Sequence, residues 1–348
     1  KQDILVKNGK IDSLGEIPNS DSSHIIDATD KYIFPGIIDP QVHFRDPGLT
    51  HKEDLRTGSM AAAAGGVTTF FEMPNTKPAT TTIKKLMDKY DTASKKSIVN
   101  YSFFFGATTD NIEEIKKLKG NCGLKIFMGS STGDLLVDND EALENIFACC
   151  DRVIAVHAED EQTLIESSKF IKGEDFSNHT KARPVEAAVR ATEKAIKLAL
   201  KYKRKLHVLH LSTAEEVIMI RKLKSTGLIT CETTPQHLLM EAPDIYEKIG
   251  AFAQMNPPIR SKRHKEELWK GLLDGTINCI ATDHAPHTLE EKKLPYGKAP
   301  SGMPGVETSL TLILNEVSKG RTSLENVVKW MSENPAKLYN IKNKGFIK

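Results

Sequence analysis

Six residues have the types and spacing of a metal-assisted active site. His43 closes one short apolar run and Asn75 follows the next. Lys125 lies inside the fourth run, His157 ends the fifth, His210 lies near the end of the sixth, and Asp283 follows the eighth. Three histidines and a carboxylate converging from strand ends suit a zinc-type site. Lys125 stands among Gly123, Leu124, Ile126, Phe127 and Met128. An ammonium in so apolar a strand is costly unless it is paired or neutral. Burial lowers its pKa and exposes a nucleophilic amine. Such an amine can take up CO₂ and become a carbamate, an anionic oxygen ligand able to bridge two metals. The alternative is a lysine that snorkels to the rim. Asp283 sits in Ala281-Thr282-Asp283-His284-Ala285-Pro286-His287. There a carboxylate can ligate a metal and shuttle a proton, or simply cap a turn.

The elements that must position these residues are eight β-rich runs, at 37–43, 67–73, 98–105, 123–128, 153–157, 206–211, 228–233 and 278–282. Helical stretches separate most of them. The stretch 52–64 ends at Gly65, read as its C′ glycine. The stretch 184–201 opens on Pro184 as its first helical residue and carries Ala187, Ala191, Ala195, Leu198 and Leu200 as an apolar stripe. Eight β/α units on one domain's length predict an α/β fold, a closed parallel (β/α)8 barrel of TIM type. An open doubly wound sheet is the alternative, but no GxGxxG follows the first strand. Before the barrel, residues 3–11 read as strand, Asn8-Gly9 turn, strand. Residues 305–341 read as two further helices, and 295–305, rich in Pro and Gly, as a candidate lid.

Composition narrows the classes. The chain has 348 residues, 39% hydrophobic and 27% charged, which suits a folded globular protein. No run approaches about 18 apolar residues, so no membrane span is expected. Lys plus Arg is 48 against 46 Asp plus Glu, a net charge of +2 and no basic excess of the nucleic-acid-binding kind. Lysine-rich patches at 116–119, 201–205 and 260–265 read as solvated faces. Cys122, Cys149, Cys150, Cys231 and Cys279 form no CxxC pair. A cysteine zinc site is therefore not expected, and a reducing cytoplasm is. The chain begins at Lys1 with no Met and no leader pattern, and reads as trimmed.

The segment Pro35-Gly36-Ile37-Ile38-Asp39-Pro40-Gln41-Val42-His43-Phe44-Arg45-Asp46-Pro47-Gly48 resembles the first metal motif of dihydroorotases. Met73-Pro74-Asn75-Thr76, Asn256-Pro257-Pro258-Ile259-Arg260 and Thr282-Asp283-His284-Ala285-Pro286-His287 continue the likeness. Lys125-Ile126-Phe127-Met128 resembles the carboxylated-lysine motif shared with hydantoinases and allantoinases, and His157-Ala158-Glu159 and His210-Leu211-Ser212-Thr213 resemble the next two metal motifs. The seven motifs stand in family order from 35 to about 339. The resemblance implies an amidohydrolase-superfamily barrel of the long, class I dihydroorotase type. It implies one or two zinc ions held by His43, carboxylated Lys125, His157, His210 and Asp283. It also implies a small β-sandwich built from both termini and incomplete here: 1–35 its N-terminal part, 36–340 the barrel, 341–348 the start of the C-terminal return.

One departure stands out: the family's His-x-His is Gln41-x-His43 here. Residues at i and i+2 face the same side of a strand, and a neutral amide oxygen is a poorer zinc ligand than imidazole. Gln41 is therefore a weak additional ligand candidate. His237, in Pro235-Gln236-His237, is a candidate beside the metal; His51, His207, His264 and His284 read as structural or surface residues, and His179 is unassigned. The implied reaction interconverts dihydroorotate and carbamoyl-aspartate in pyrimidine synthesis, with Asp283 as the proton carrier. Arg45 can grip the substrate carboxylate bidentately. The family pattern adds Asn75 and His287 as further donors and brings Asn256 and the loop 299–305 to the ring. The competing readings are another cyclic-amide hydrolase, such as an allantoinase or hydantoinase, and an impaired relative acting as a partner of aspartate transcarbamoylase. A homo-oligomer with a small-molecule substrate is expected, with no nucleic acid and no membrane partner.

Overall fold

The computed structural model describes residues 2–18, 24–120, 122–130 and 135–347. Among them the strands form two sheets. β1 (Asp3–Lys7) and β2 (Lys10–Gly15) make an antiparallel hairpin. Asn8 and Gly9 turn it with φ of 52° and 72°. Two consecutive positive φ values define the turn whose twist matches a hairpin.

The other eight strands run parallel in chain order: β3 (Ile37–Val42), β4 (Val67–Glu72), β5 (Asn100–Gly106), β6 (Gly123–Phe127), β7 (Ile154–His157), β8 (Leu206–Val208), β9 (Ile229–Thr233) and β10 (Cys279–Ile280). Each coincides with a predicted run. Their register separates two faces. Lys125 pairs with Ala155, Ala155 with His207, and His207 with Thr230, one inward row across the sheet. Leu124, Ile126, Ile154, Val156, Leu206, Val208 and Ile229 alternate with them and pack in the outer core. That two-residue period explains why these strands read as continuous apolar runs broken by single polar residues. Ala155 of this row also clusters with Ile38, Phe71, Phe104, Leu209, Ala336 and Tyr339.

The sheet meets itself through side chains as much as backbone. Val42 and His284 form an isolated parallel bridge, and His43 N–H donates to His284 O at 2.7 Å. Asp39 accepts from Thr282 N at 3.1 Å and Thr282 Oγ1 at 2.6 Å. This seam ties β3 to the segment after β10, which carries Asp283.

Several details differ from expectation. The helix Leu55–Ala64 starts later than residue 52 and is capped by Asp54, whose side chain accepts from Thr57 N. Gly66, not Gly65, takes the positive φ, 77°; a Cβ on Gly65 would lie 2.6 Å from Glu307 O and from Val306 O. Pro184 is the N-cap of the helix Val185–Tyr202 rather than its first residue, and Leu200 is exposed while Ala199 and Ile196 are buried in the stripe. Downstream, the helix Ser309–Ser318 is followed by a continuous run from Leu324–Val328 through a π turn, Lys329–Glu333, to Asn334–Leu338. These are the two helices expected there. Arg260, read as part of a solvated patch, is 5% exposed. Among the described residues no helix is long and apolar enough to cross a membrane, and all five cysteines are free.

Candidate active site

Gln41, His43, Arg45, Lys125, His157, His210, Asn256 and Asp283 line one cavity at the C-terminal ends of the strands, with Ser301 and Gly302. Its free volume is about 20 Å³, room for about one water-sized body. Three of these residues leave their strands in the left-handed region: Arg45 at φ 65°, His210 at 37° and Asp283 at 47°. Such angles are costly for side chains other than glycine and cluster where function overrides local preference.

Lys125 is 1% exposed. Its Nζ lies 4.4 Å from the centre of the Phe127 ring. Burial drives its ammonium down to about 7, and Asp283 and Glu232 oppose only part of that effect. The inward register thus replaces the snorkelling alternative with a buried amine that readily gives up its proton.

The imidazoles stand in pairs. His43 Nδ1 donates to Asn75 Oδ1 at 2.8 Å, which leaves its Nε2 facing Asp283 Oδ1 at 3.0 Å. Burial favours neutral His43. Two lone pairs then face each other, an arrangement that calls for a proton or a cation between them. His157 Nδ1 and His210 Nε2 face each other at 3.0 Å. On its far side His157 Nε2 stands 2.9 Å from Glu159 Oε2, close but out of hydrogen-bond alignment, and a carboxylate behind a histidine raises its basicity toward a metal. Among the described residues no three His, Cys, Asp or Glu side chains already surround one point as a metal requires. The donors pair with one another instead. Their chemistry and shared cavity fit a cation; binding one would replace those pairings.

Gln41 commits only its amide nitrogen. Its Nε2 donates to Asp283 Oδ1 at 2.9 Å, while its buried Oε1 has no hydrogen-bond partner. Arg45 donates from Nε to Pro286 O at 3.1 Å, and its Nη2 lies 3.2 Å from His287 Nε2. Asn75 is absent from the cavity lining and works through His43. Gly302 makes the close wall possible: a Cβ there would lie 2.5 Å from Ala285 O and 2.8 Å from His287 Nε2. The segment 295–305 thus forms a wall of the cavity, through Ser301 and Gly302.

His237 does not line the cavity. Its Nδ1 meets Thr234 Oγ1 at 2.9 Å and its Nε2 donates to Pro257 O at 3.1 Å. His284 accepts from Gly305 N and Val306 N on Nδ1, so its Nε2–H donates to Glu53 at 2.7 Å. His207 lies between Thr230 and Glu232, His264 accepts from Ala214 N, and His51 is exposed. Sequence reading missed two supporting groups. His179 Nε2 donates to Met255 O at 2.9 Å and Asn256 Oδ1 at 3.0 Å, fixing Asn256. Arg183 donates from Nε to both oxygens of Glu159, at 3.1 and 3.0 Å. The signal for the second lay in the motif itself, where Glu159 stands two residues beyond His157.

The barrel and a histidine, lysine and aspartate set at its strand ends define a hydrolase-type scaffold. Residues 32–348 match the amidohydrolase family, and the chain belongs to it. It is 41% identical to a dihydroorotase of Methanosarcina acetivorans, over 99% of this chain and 76% of that protein. It is 36% identical to an L-hydantoinase of Paenarthrobacter aurescens, over 97% of this chain and 77% of that one. Among solved structures, L-hydantoinase from Arthrobacter aurescens superposes with a TM-score of 0.95 at 35% identity, covering all of this chain and 80% of that one.

Proposed function

We propose that this protein is a zinc-dependent dihydroorotase, interconverting dihydroorotate and carbamoyl-aspartate. The observation that carries this reading is Arg45 on the wall of the cavity that holds Asp283, with His287 Nε2 3.2 Å from its guanidinium, just behind the Ser301–Gly302 lining. Dihydroorotate has a carboxylate for these groups; hydantoins and dihydrouracil do not. The likeness to dihydroorotases at 35–41% identity agrees. Zinc would be held by His43, His157, His210, Asp283 and Lys125 as its carbamate. When bound, it supplies an acidified water and a polarised amide carbonyl. Asp283 takes the proton of the attacking water and returns it to the leaving nitrogen. Gln41 Nε2 holds the carboxylate oxygen that does this. Asn256, fixed by His179, meets the ring. The proposal extends to a homo-oligomer in the cytoplasm, with aspartate transcarbamoylase as the partner to test.

The second reading is a hydantoinase or dihydropyrimidinase, favoured by the superposition on L-hydantoinase. Dihydroorotate, dihydrouracil and hydantoin assayed in parallel, with zinc, bicarbonate and a count of bound metal, decide. Turnover of dihydroorotate, and an Arg45→Met variant whose KM for it rises at least about tenfold, support the proposal. Turnover of the uncharged rings alone establishes the second reading. Neither turnover nor bound zinc leaves the non-catalytic partner.

A further inference from the structure

His287 stands directly behind the Ser301–Gly302 wall of the cavity, and a residue further out sets its protonation. Lys52 precedes the helix Leu55–Ala64, and its side chain is 12% exposed. Its Nζ lies 2.9 Å from His287 Nδ1 and 3.0 Å from Glu291 Oε1. An ammonium only donates. His287 Nδ1 must therefore carry a lone pair, and the ring proton sits on Nε2. That Nε2–H donates to Ser301 O at 3.0 Å. Arg45 Nη2, 3.2 Å from the same nitrogen, is then a neighbouring donor and not its partner. Two N–H donors side by side are an anion subsite. A carboxylate that replaces Ser301 O as acceptor meets both.

We infer that Lys52 is a positioning residue that holds His287 in its neutral Nε2–H tautomer and so makes this wall select a carboxylate-bearing ring. The inference rests on the carboxylate reading proposed above. The groups around the imidazole agree with it. Burial, then Arg45, Lys52 and Lys292, hold His287 down to about 3, against the hydrogen bond to Ser301. Glu291 pulls the other way, with Oε2 3.6 Å from Nδ1. Its Oε1 is held by Lys52, and its Oε2 accepts from Thr288 N at 3.0 Å. Without Lys52, Glu291 becomes the nearest acceptor for a proton on Nδ1. The tautomer then inverts, and Nε2 turns a lone pair toward the bound carboxylate.

The test compares the zinc-loaded wild type with Lys52→Met and Lys52→Arg. Imidazole ¹⁵N NMR of the free proteins, with the His287 signal assigned by its loss in His287→Gln, reads the tautomer without substrate. Steady-state kinetics with dihydroorotate and with dihydrouracil read the consequence. The wild type should show the neutral Nε2–H form and Lys52→Met the Nδ1–H form. KM for dihydroorotate should rise about 10- to 100-fold in Lys52→Met, the worth of one hydrogen bond to a charged group. The kcat, and KM for dihydrouracil, should change little, and Lys52→Arg should restore the wild-type values. Lowering the pH from about 8 to about 6 should recover dihydroorotate binding in Lys52→Met alone, because protonating the imidazole beside Glu291 puts a proton back on Nε2. An Nδ1–H wild type, or an unchanged tautomer in Lys52→Met, overturns the inference. Equal losses for both substrates overturn it too, since they mark a structural role. If the wild type turns over no dihydroorotate, the proposed function fails, and the NMR result still decides whether Lys52 sets the tautomer.

Discussion

Replacing Arg183 by Met strips the counter-charge from a carboxylate with no route to water. Glu159 is fully buried behind His157 and accepts Arg183 Nε on both oxygens, at 3.1 and 3.0 Å. Arg183 Nη2 also reaches Glu159, and it donates to Ser130 O at 2.7 Å. Burial alone would push this carboxyl up; Arg183 first and His157 next outweigh it and hold it well below the usual carboxylate range. Removing one partner of a buried pair costs about 3–5 kcal/mol, because the other charge stays behind. At about 2–4 °C per kcal/mol, the midpoint of thermal unfolding should fall by about 6–20 °C. The pH dependence has a definite sign. In the wild type the depressed carboxyl contributes stability at all pH values above its unfolded pKa, and that contribution is lost only in strong acid. In Arg183→Met the carboxyl moves above its unfolded value, so stability falls as pH rises from about 5 toward 8. The gap between the two proteins should therefore widen across that range. Zinc affinity by equilibrium dialysis should drop about 10- to 100-fold, because Glu159 orients a ligand. Arg183→Lys keeps the charge without the fork and should fall between. A midpoint within about 2 °C of wild type at pH 8, together with unchanged zinc affinity, would refute the reasoning.

Two further outcomes follow from the same cavity. Lys292 donates to Gln254 O, Pro300 O and Gly302 O at 3.3, 3.0 and 2.9 Å, and burial holds it down to about 8. Lys292→Met should cost about 3 kcal/mol in urea unfolding and speed hydrogen exchange at Gly302. It should also abolish the rise in stability that the depressed lysine produces as pH climbs from about 8 to about 10. Asp283→Asn should cut kcat about 10²- to 10⁴-fold in both directions, and retention of more than about a tenth would remove its assigned role.

The strands were legible because each alternates a buried outer residue with an inward one, and polar residues inside apolar runs can only be inward. Lys125, His157 and Asp283 were visible for that reason. Spacing places Gln41 beside His43 but does not show that its amide nitrogen donates to Asp283, 242 positions away, while its oxygen has no partner. Lys52, His179 and Arg183 were not legible as supports. Each acts through a partner 235, 77 or 24 residues distant, and a local pattern carries no trace of such contacts. Asn75 shows the converse. Its motif marked it as part of the site as an amide N–H donor, and the fold adds that its oxygen accepts from His43.

Backbone conformation at His210 offers a test that separates geometry from ligand chemistry. Its φ of 37° lies where a Cβ is strained, at about 1–2 kcal/mol for ordinary residues. Two residues before it, Val208 ends β8, so the chain must turn sharply to bring the imidazole over the cavity. Both His210→Ala and His210→Gly remove the side chain and should lose zinc alike. Only Gly relieves the strain. Against this, Gly loses about 0.5–1 kcal/mol more than Ala in chain entropy on folding. The net expectation is that His210→Gly is the more stable variant by up to about 1.5 kcal/mol, the reverse of the order found in helices and strands. Urea unfolding of the two metal-free variants measures the difference directly. A more stable Ala variant would show that the turn relaxes once the imidazole is gone, and that the left-handed conformation is imposed by the side chain rather than by the way the barrel strand ends.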